Sequence, residues 1–173
     1  MLVIGITNKL PRGLRLFMWE YDNIEEFDVL EDANFISTIF DIDIYILKSS
    51  EKHYHLISFD ILTIDQVQRI QEWVLDVSDY LRIKETPLYD DRGLWNTLRV
   101  SNKGKTASPI FLKVFLSPKN KHLKSIEHYR IYQYYCGIPK LSLEQKPFFV
   151  NFNSMTIAVY NTGIGAKCKR DKI

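Results

Sequence analysis

Two short stretches carry the residue types that chemistry on phosphates requires. "WEYD" places Glu20 and Asp22 two positions apart, and "KSSEKHYH", Lys48 to His55, gathers serines, lysines and two histidines at a turn between apolar runs. In an extended strand the side chains of residues i and i+2 share a side. Glu20 with Asp22, Asp41 with Asp43, and His53 with His55 would then form three polar pairs on neighbouring strands. Paired carboxylates supply the hard oxygen ligands that Mg2+ or Mn2+ takes, substrate phosphates completing the shell. A nearby His and Lys would neutralise a triphosphate. Each pair also has a purely structural reading. Asp22 stands where a helix N-cap would, Asp41 and Asp43 suit the wet face of a half-buried strand, and His53 suits a surface turn. His55, deeper in its strand, has the better claim to a function.

The elements that would hold these residues follow from periodicity. "LRLFMWEY" reads as a strand, and "IEEFDVLEDANFISTIF" as a helix with Ile24, Phe27 and Leu30 on one face. "DIDIYILK" and "HYHLISFD" form a hairpin around the Ser-Ser-Glu-Lys turn. Thr63 and Gln66 make a capping box for a helix whose stripe is Ile64, Val67, Ile70 and Val74. Asp76 to Tyr89 reads as a short strand and loop. "WNTLRVS" and "PIFLKVFL" are two further strands joined by the basic loop "NKGKTAS". Ser117-Pro118 opens a helix running to about Tyr135, stopped by Gly137 and Pro139. "KPFFVNF" and "MTIAVYN" form a closing hairpin, and residues 164–173 a solvated basic tail. This order predicts an α+β fold: a largely antiparallel sheet with helices packed on it, of the ferredoxin or RNA-recognition type.

Length and composition fit one domain over residues 1–173 with a substantial core. No run of apolar residues is long enough for a membrane span, and the N-terminus lacks the features of a signal peptide, so a cytoplasmic protein without a membrane partner is expected. Cys136 and Cys168 stand alone and suggest neither a disulfide nor a cysteine zinc site. The net charge of +2 conceals a separation along the chain. From Glu20 to Asp43 there are nine acids and no Lys or Arg; from Arg99 to Lys140 there are nine bases against Glu127. One region suits a cation and the other a polyanion, although two solvated faces would look the same.

Taken in order, these stretches resemble the archaeo-eukaryotic primase superfamily of primases and primase-polymerases. That family carries a strand-borne acidic pair, a serine-to-histidine turn-and-strand motif, a later lone acid, and an arginine strand with a Lys-Gly loop. Here Glu20 and Asp22 match the pair. "SSEKHYH" keeps the first serine, the lysine and the final histidine of the second motif, "VSDY" offers Asp79, and "DDRGLWNTLRVSNKGKT" resembles the arginine strand and loop. The departures are Glu20 in place of Asp, Ser50, Glu51 and His53 in place of glycines, Val100 in place of proline, and the absence of a zinc cluster. Asp76 and Asp90 compete with Asp79 as the third acid.

The resemblance implies template-dependent nucleotidyl transfer with two divalent ions, Mg2+ or Mn2+, on Glu20, Asp22 and Asp79. Ser49, Ser50, Lys52, His55, Arg99 and Lys103 would bind a nucleoside triphosphate. Lys105, Lys121, Lys124 and Arg130 would lie along a single-stranded DNA template, with a partner subunit in a replication assembly. Tyrosines of the basic helix would stack on bases, or else Tyr129, Tyr132 and Tyr135 pack on the sheet. "HYHLIS" also resembles the His-hydrophobe-His motif of rolling-circle nickases, in which His53 and His55 would hold one metal and a helical tyrosine would attack DNA; the Ser-x-x-Lys turn and the Leu-Arg-x-Ser strand favour the primase resemblance. A third expectation is a non-catalytic nucleic-acid-binding subunit.

Overall fold

The computed structural model describes residues 2–77, 97–140, 149–150 and 157–161. In chain order the elements are β1 (Leu2–Thr7), β2 (Leu14–Arg15), β3 (Met18–Asp22), α1 (Glu26–Phe40), β4 (Ile44–Ser50), β5 (His53–Ile57), β6 (Leu62–Thr63), α2 (Ile64–Val77), β7 (Thr97–Arg99), β8 (Ile110–Phe115), β9 (Lys124–Ser125), α3 (Ile126–Cys136), β10 (Phe149–Val150) and β11 (Ile157–Asn161). The protein is α+β. Strands β3, β5, β4 and β8 form an antiparallel sheet in that order, and β11, β1 and β7 form a second one.

Period-two alternation decides which side of the first sheet meets what. Trp19, Tyr21, Ile44, Ile46, Tyr54 and Leu56 point one way and pack on Val29, Ala33 and Ile36 of α1 and on Val67, Ile70 and Val74 of α2. Met18, Tyr45, Leu47 and Ile57 point the other way, against Ile6 of β1, Leu98 of β7, and Tyr129 and Tyr132 of α3. Both faces of the sheet are therefore covered. Glu20, Asp22, His53 and His55 belong to the second set by parity, so they lie on the face turned toward the second sheet.

The hairpin of β4 and β5 and the capping box occur as expected. Thr63 N–H donates to Gln66 Oε1 at 2.8 Å and Gln66 N–H to Thr63 Oγ1 at 3.2 Å.

Several expectations are corrected. Leu2–Thr7, where the sequence pattern predicts no element, is the central strand of the second sheet. Among the described residues β10 and β11 do not pair as the expected closing hairpin: β11 pairs antiparallel with β1, and β10 pairs parallel with β9. The helix expected from Ser117 begins at Ile126. Between them Ile61 N–H donates to Leu123 O and Ser125 N–H to Phe59 O, so the backbone of 123–125 bonds sideways to the chain after β5 and cannot serve a helix. Phe27, expected on the buried face of α1, is exposed. Ile24 is buried from an extended segment ahead of α1, so the spacing counted from it does not continue into the helix. The expected strand and loop from Asp76 to Tyr89 and the basic tail lie, apart from the end of α2, outside the described residues.

Candidate functional site

Pairing of β3 with β5 sets the geometry. Glu20 stands opposite His55 and Asp22 opposite His53. His53 Nδ1 is 2.5 Å from Asp22 Oδ1, and His55 Nε2 is 3.6 Å from Glu20 Oε1. Asp22 lies within β3, while the N-cap of α1 is Glu25, which decides the earlier alternative for Asp22 in favour of a strand position. The two acids and two histidines thus form two cross-strand rows on one face; His55 is buried, while Glu20, Asp22 and His53 are partly open.

The second sheet contributes to the same end of β4. Arg99 of β7 donates from Nη2 to Ser49 Oγ at 3.0 Å, and from Nη1 to the Ser101 and Ala107 carbonyls at 2.5 and 2.9 Å. Arg99 thus brings a guanidinium to this corner beside the serine end of β4. The same bonds close the base of the loop that exposes Lys103 and Lys105, whose turn is completed by paired backbone bonds between Lys103 and Thr106. Ser49 and Arg99 are therefore brought together, with Lys103 and Lys105 on the adjoining loop. Ser50 is exposed across a bulge from His53.

Other expected site residues fall elsewhere. Lys52 takes a left-handed backbone (φ 57), as a glycine would at lower cost, and its amine pairs with Glu25 at the start of α1. That bond and the Glu25 charge raise the Lys52 pKa. Lys124, expected along a template, is buried. Its amine donates to Asp43 Oδ2 at 2.9 Å and to Asp60 Oδ1. Asp60 Oδ2 also accepts from the Asp43 N–H, the Ser58 hydroxyl and the Asn120 amide, while Asp43 Oδ1 accepts from the Ser117 N–H. Burial raises the Asp60 pKa from its ordinary value, with Lys124 opposing that shift. Asp43 is thus part of an interior network, not a wet strand face. Lys121 and Arg130 are exposed, on the loop before β9 and on α3. Asp79 and Asp90 lie outside the described residues.

The helical tyrosines divide. Tyr129 and Tyr132 are buried in the second core, and the Tyr129 hydroxyl donates to the Pro139 carbonyl at 2.5 Å. Tyr135 is half-buried, and Tyr134 is 82% exposed. Neither buried tyrosine donates its hydroxyl to His53 or His55.

Sequence reasoning gave His53 a surface role and passed over Asp60. His53 meets the outer acid through the register of β3 against β5, which the β4–β5 hairpin does not itself determine. Asp60 gave no local signal, because its partners Asp43 and Lys124 are distant in sequence.

As a donor set, Glu20 and Asp22 offer oxygen ligands of the kind a hard divalent cation takes, on partly exposed side chains. Among the described residues no group of three or more His, Cys, Asp or Glu side chains is arranged to hold a metal ion. None of the described helices is long and apolar enough to cross a membrane.

No protein-family model matches the chain, and neither a curated protein nor a solved structure matches it.

Proposed function

We propose that the chain is a metal-dependent nucleotidyltransferase of the primase-polymerase type, acting on nucleoside triphosphates and single-stranded DNA. The observation that carries this reading is convergence. The acids of β3 lie in register with the histidines of β5, and Arg99 reaches across from the second sheet to Ser49 at the serine end of the same hairpin. An anionic edge and a cationic edge thus adjoin on one inward face, as a triphosphate accompanied by cations requires.

Glu20 and Asp22, with a third acid expected at Asp79, would hold Mg2+ or Mn2+, which supplies charge neutralisation for phosphoryl transfer. Arg99 and Ser49 would bind the phosphates, the guanidinium suiting phosphate oxygens by its planar array of donors. Lys103 and Lys105 extend the cationic edge along the loop. Lys121 and Arg130 would contact a template strand through its phosphates. The burial of Tyr129 and Tyr132 favours this reading over a nickase that needs a helical tyrosine at the histidines.

The test is template-directed synthesis. Protein, single-stranded template, labelled nucleotides and Mg2+ or Mn2+ should give products that vanish in Asp22→Ala and Glu20→Ala. A covalent protein-DNA adduct would instead identify a nickase. DNA binding with neither product nor adduct would leave a non-catalytic subunit.

A further inference from the structure

The two histidines of the hairpin differ in a way their shared face conceals. His55 is 1% exposed, held between Glu20 of β3 and Leu47 of β4 in the pairing register. Its Nε2 points to the Glu20 carboxylate at 3.6 Å, and its Nδ1 is buried without a hydrogen-bond partner. A triphosphate could reach that ring only by displacing Glu20 or parting the strands. The side chain of His53 is 42% exposed, and it stands beside the serine end of β4 across the bulge. Asp22 holds its Nδ1 at 2.5 Å, which fixes the ring and leaves Nε2, on the opposite side of the imidazole, for another acceptor.

We infer that His53 is the histidine that hydrogen-bonds a phosphate of the bound nucleotide, and that His55 is a positioning residue holding the Glu20 carboxylate from beneath. This assignment rests on the nucleotide-binding reading above. It exchanges the roles that motif spacing gives the two residues. Three observations carry it: the burial difference, the Asp22 carboxylate that bonds His53 while Glu20 stands 3.6 Å from His55, and the place of His53 next to Ser50 and the Ser49–Arg99 bond. With both nitrogens protonated, an imidazole anchored at one of them by a carboxylate donates from the other in a fixed direction, as a phosphate oxygen requires.

The test uses the full chain, a fluorescent ATP analogue as the nucleotide probe, and Mn2+ followed separately by its paramagnetic resonance. His53→Ala should weaken analogue binding about tenfold while Mn2+ affinity stays within twofold. His55→Gln, which keeps a donor facing Glu20, should match the wild type in both measurements. His55→Ala should leave analogue affinity within twofold, lower Mn2+ affinity and reduce kcat with little change in KM. Thermal unfolding of each variant identifies any loss due to misfolding, and the Gln variant keeps the assignment testable if the Ala variant is unstable. Loss of analogue affinity in folded His55 variants, with His53→Ala unchanged, would overturn the assignment alone. A wild-type chain that binds neither the analogue nor Mn2+ would overturn both it and the proposed function.

Discussion

Arg99 Nη2 lies 3.0 Å from Ser49 Oγ and donates to it, so one hydrogen bond joins the second sheet to the serine end of the first. Its Nη1 secures two carbonyls at the base of the neighbouring loop, so the side chain both carries charge and fixes backbone. Arg99→Ala is expected to weaken triphosphate binding at least tenfold, since a charge-assisted hydrogen bond is worth about 1.5–3 kcal/mol. Amide exchange over 101–108 should quicken at the same time. Arg99→Lys should recover part of the affinity but not the exchange protection, because an ammonium cannot span carbonyls and hydroxyl together. Faster exchange with unchanged affinity would show that Arg99 is purely structural.

Lys124 and Lys121 should separate stability from binding. The Lys124 amine sits between Asp43 and Asp60, so Lys124→Met leaves buried carboxylates without their cation, at a cost of about 3–5 kcal/mol. Adding Asp43→Asn to that variant should restore part of the loss. Lys121→Ala, at an exposed position, should leave stability within about 0.5 kcal/mol and reduce the salt dependence of DNA binding. Urea unfolding and DNA titrations at two salt concentrations measure both. Equal stability of the two single variants would contradict the buried network.

His128 predicts a pH dependence. It is fully buried on α3, with Nε2 2.7 Å from the Thr7 carbonyl oxygen and Nδ1 2.8 Å from the Ser125 hydroxyl. Burial lowers its pKa, while the Thr7 hydrogen bond and the Glu127 charge oppose that shift. The unfolded chain therefore takes up a proton at higher pH than the folded chain does. The group's contribution to stability is full above about pH 6.5 and is lost as pH falls through that value, by up to about 1.4 kcal/mol per unit. His128→Gln should flatten this part of the profile when urea unfolding is compared between pH 5.5 and 7.5. A slope identical in both proteins would refute the assignment.

Where local pattern determined structure, the chain was legible. The Thr63–Gln66 box, the stripe of α2, and the alternation that puts Glu20, Asp22, His53 and His55 on one face all formed as the sequence implied. What could not be seen depended on long-range partners. β1 becomes a central strand only because β7 and β11 flank it, and 117–125 is kept from being helical by bonds to the chain after β5 and by Asp43 and Asp60. The site divides in the same way. Type and parity put the acids and histidines of the candidate site on one face, while burial separates the two histidines, and burial follows from which face a second sheet covers.

Tyr132 and Tyr129 offer a last contrast, one that also bears on the nickase reading. Both rings pack in the core beneath the first sheet, tilted or edge-on against Phe59 at 5.7 and 5.5 Å between centroids. The Tyr129 hydroxyl donates to the Pro139 carbonyl, whereas the Tyr132 hydroxyl is buried with no hydrogen-bond partner, and burial raises its pKa well above the ordinary tyrosine value. Removing a satisfied hydroxyl costs about 1 kcal/mol, while removing an unsatisfied one relieves a desolvation penalty of similar size. Tyr129→Phe should therefore destabilise the protein and Tyr132→Phe should leave it unchanged or more stable, as measured by urea unfolding. A nucleophilic Tyr132 would have to ionise inside an apolar core, so nucleotide transfer should survive Tyr132→Phe. A DNA adduct that disappears in this variant would reverse the choice between the two functions.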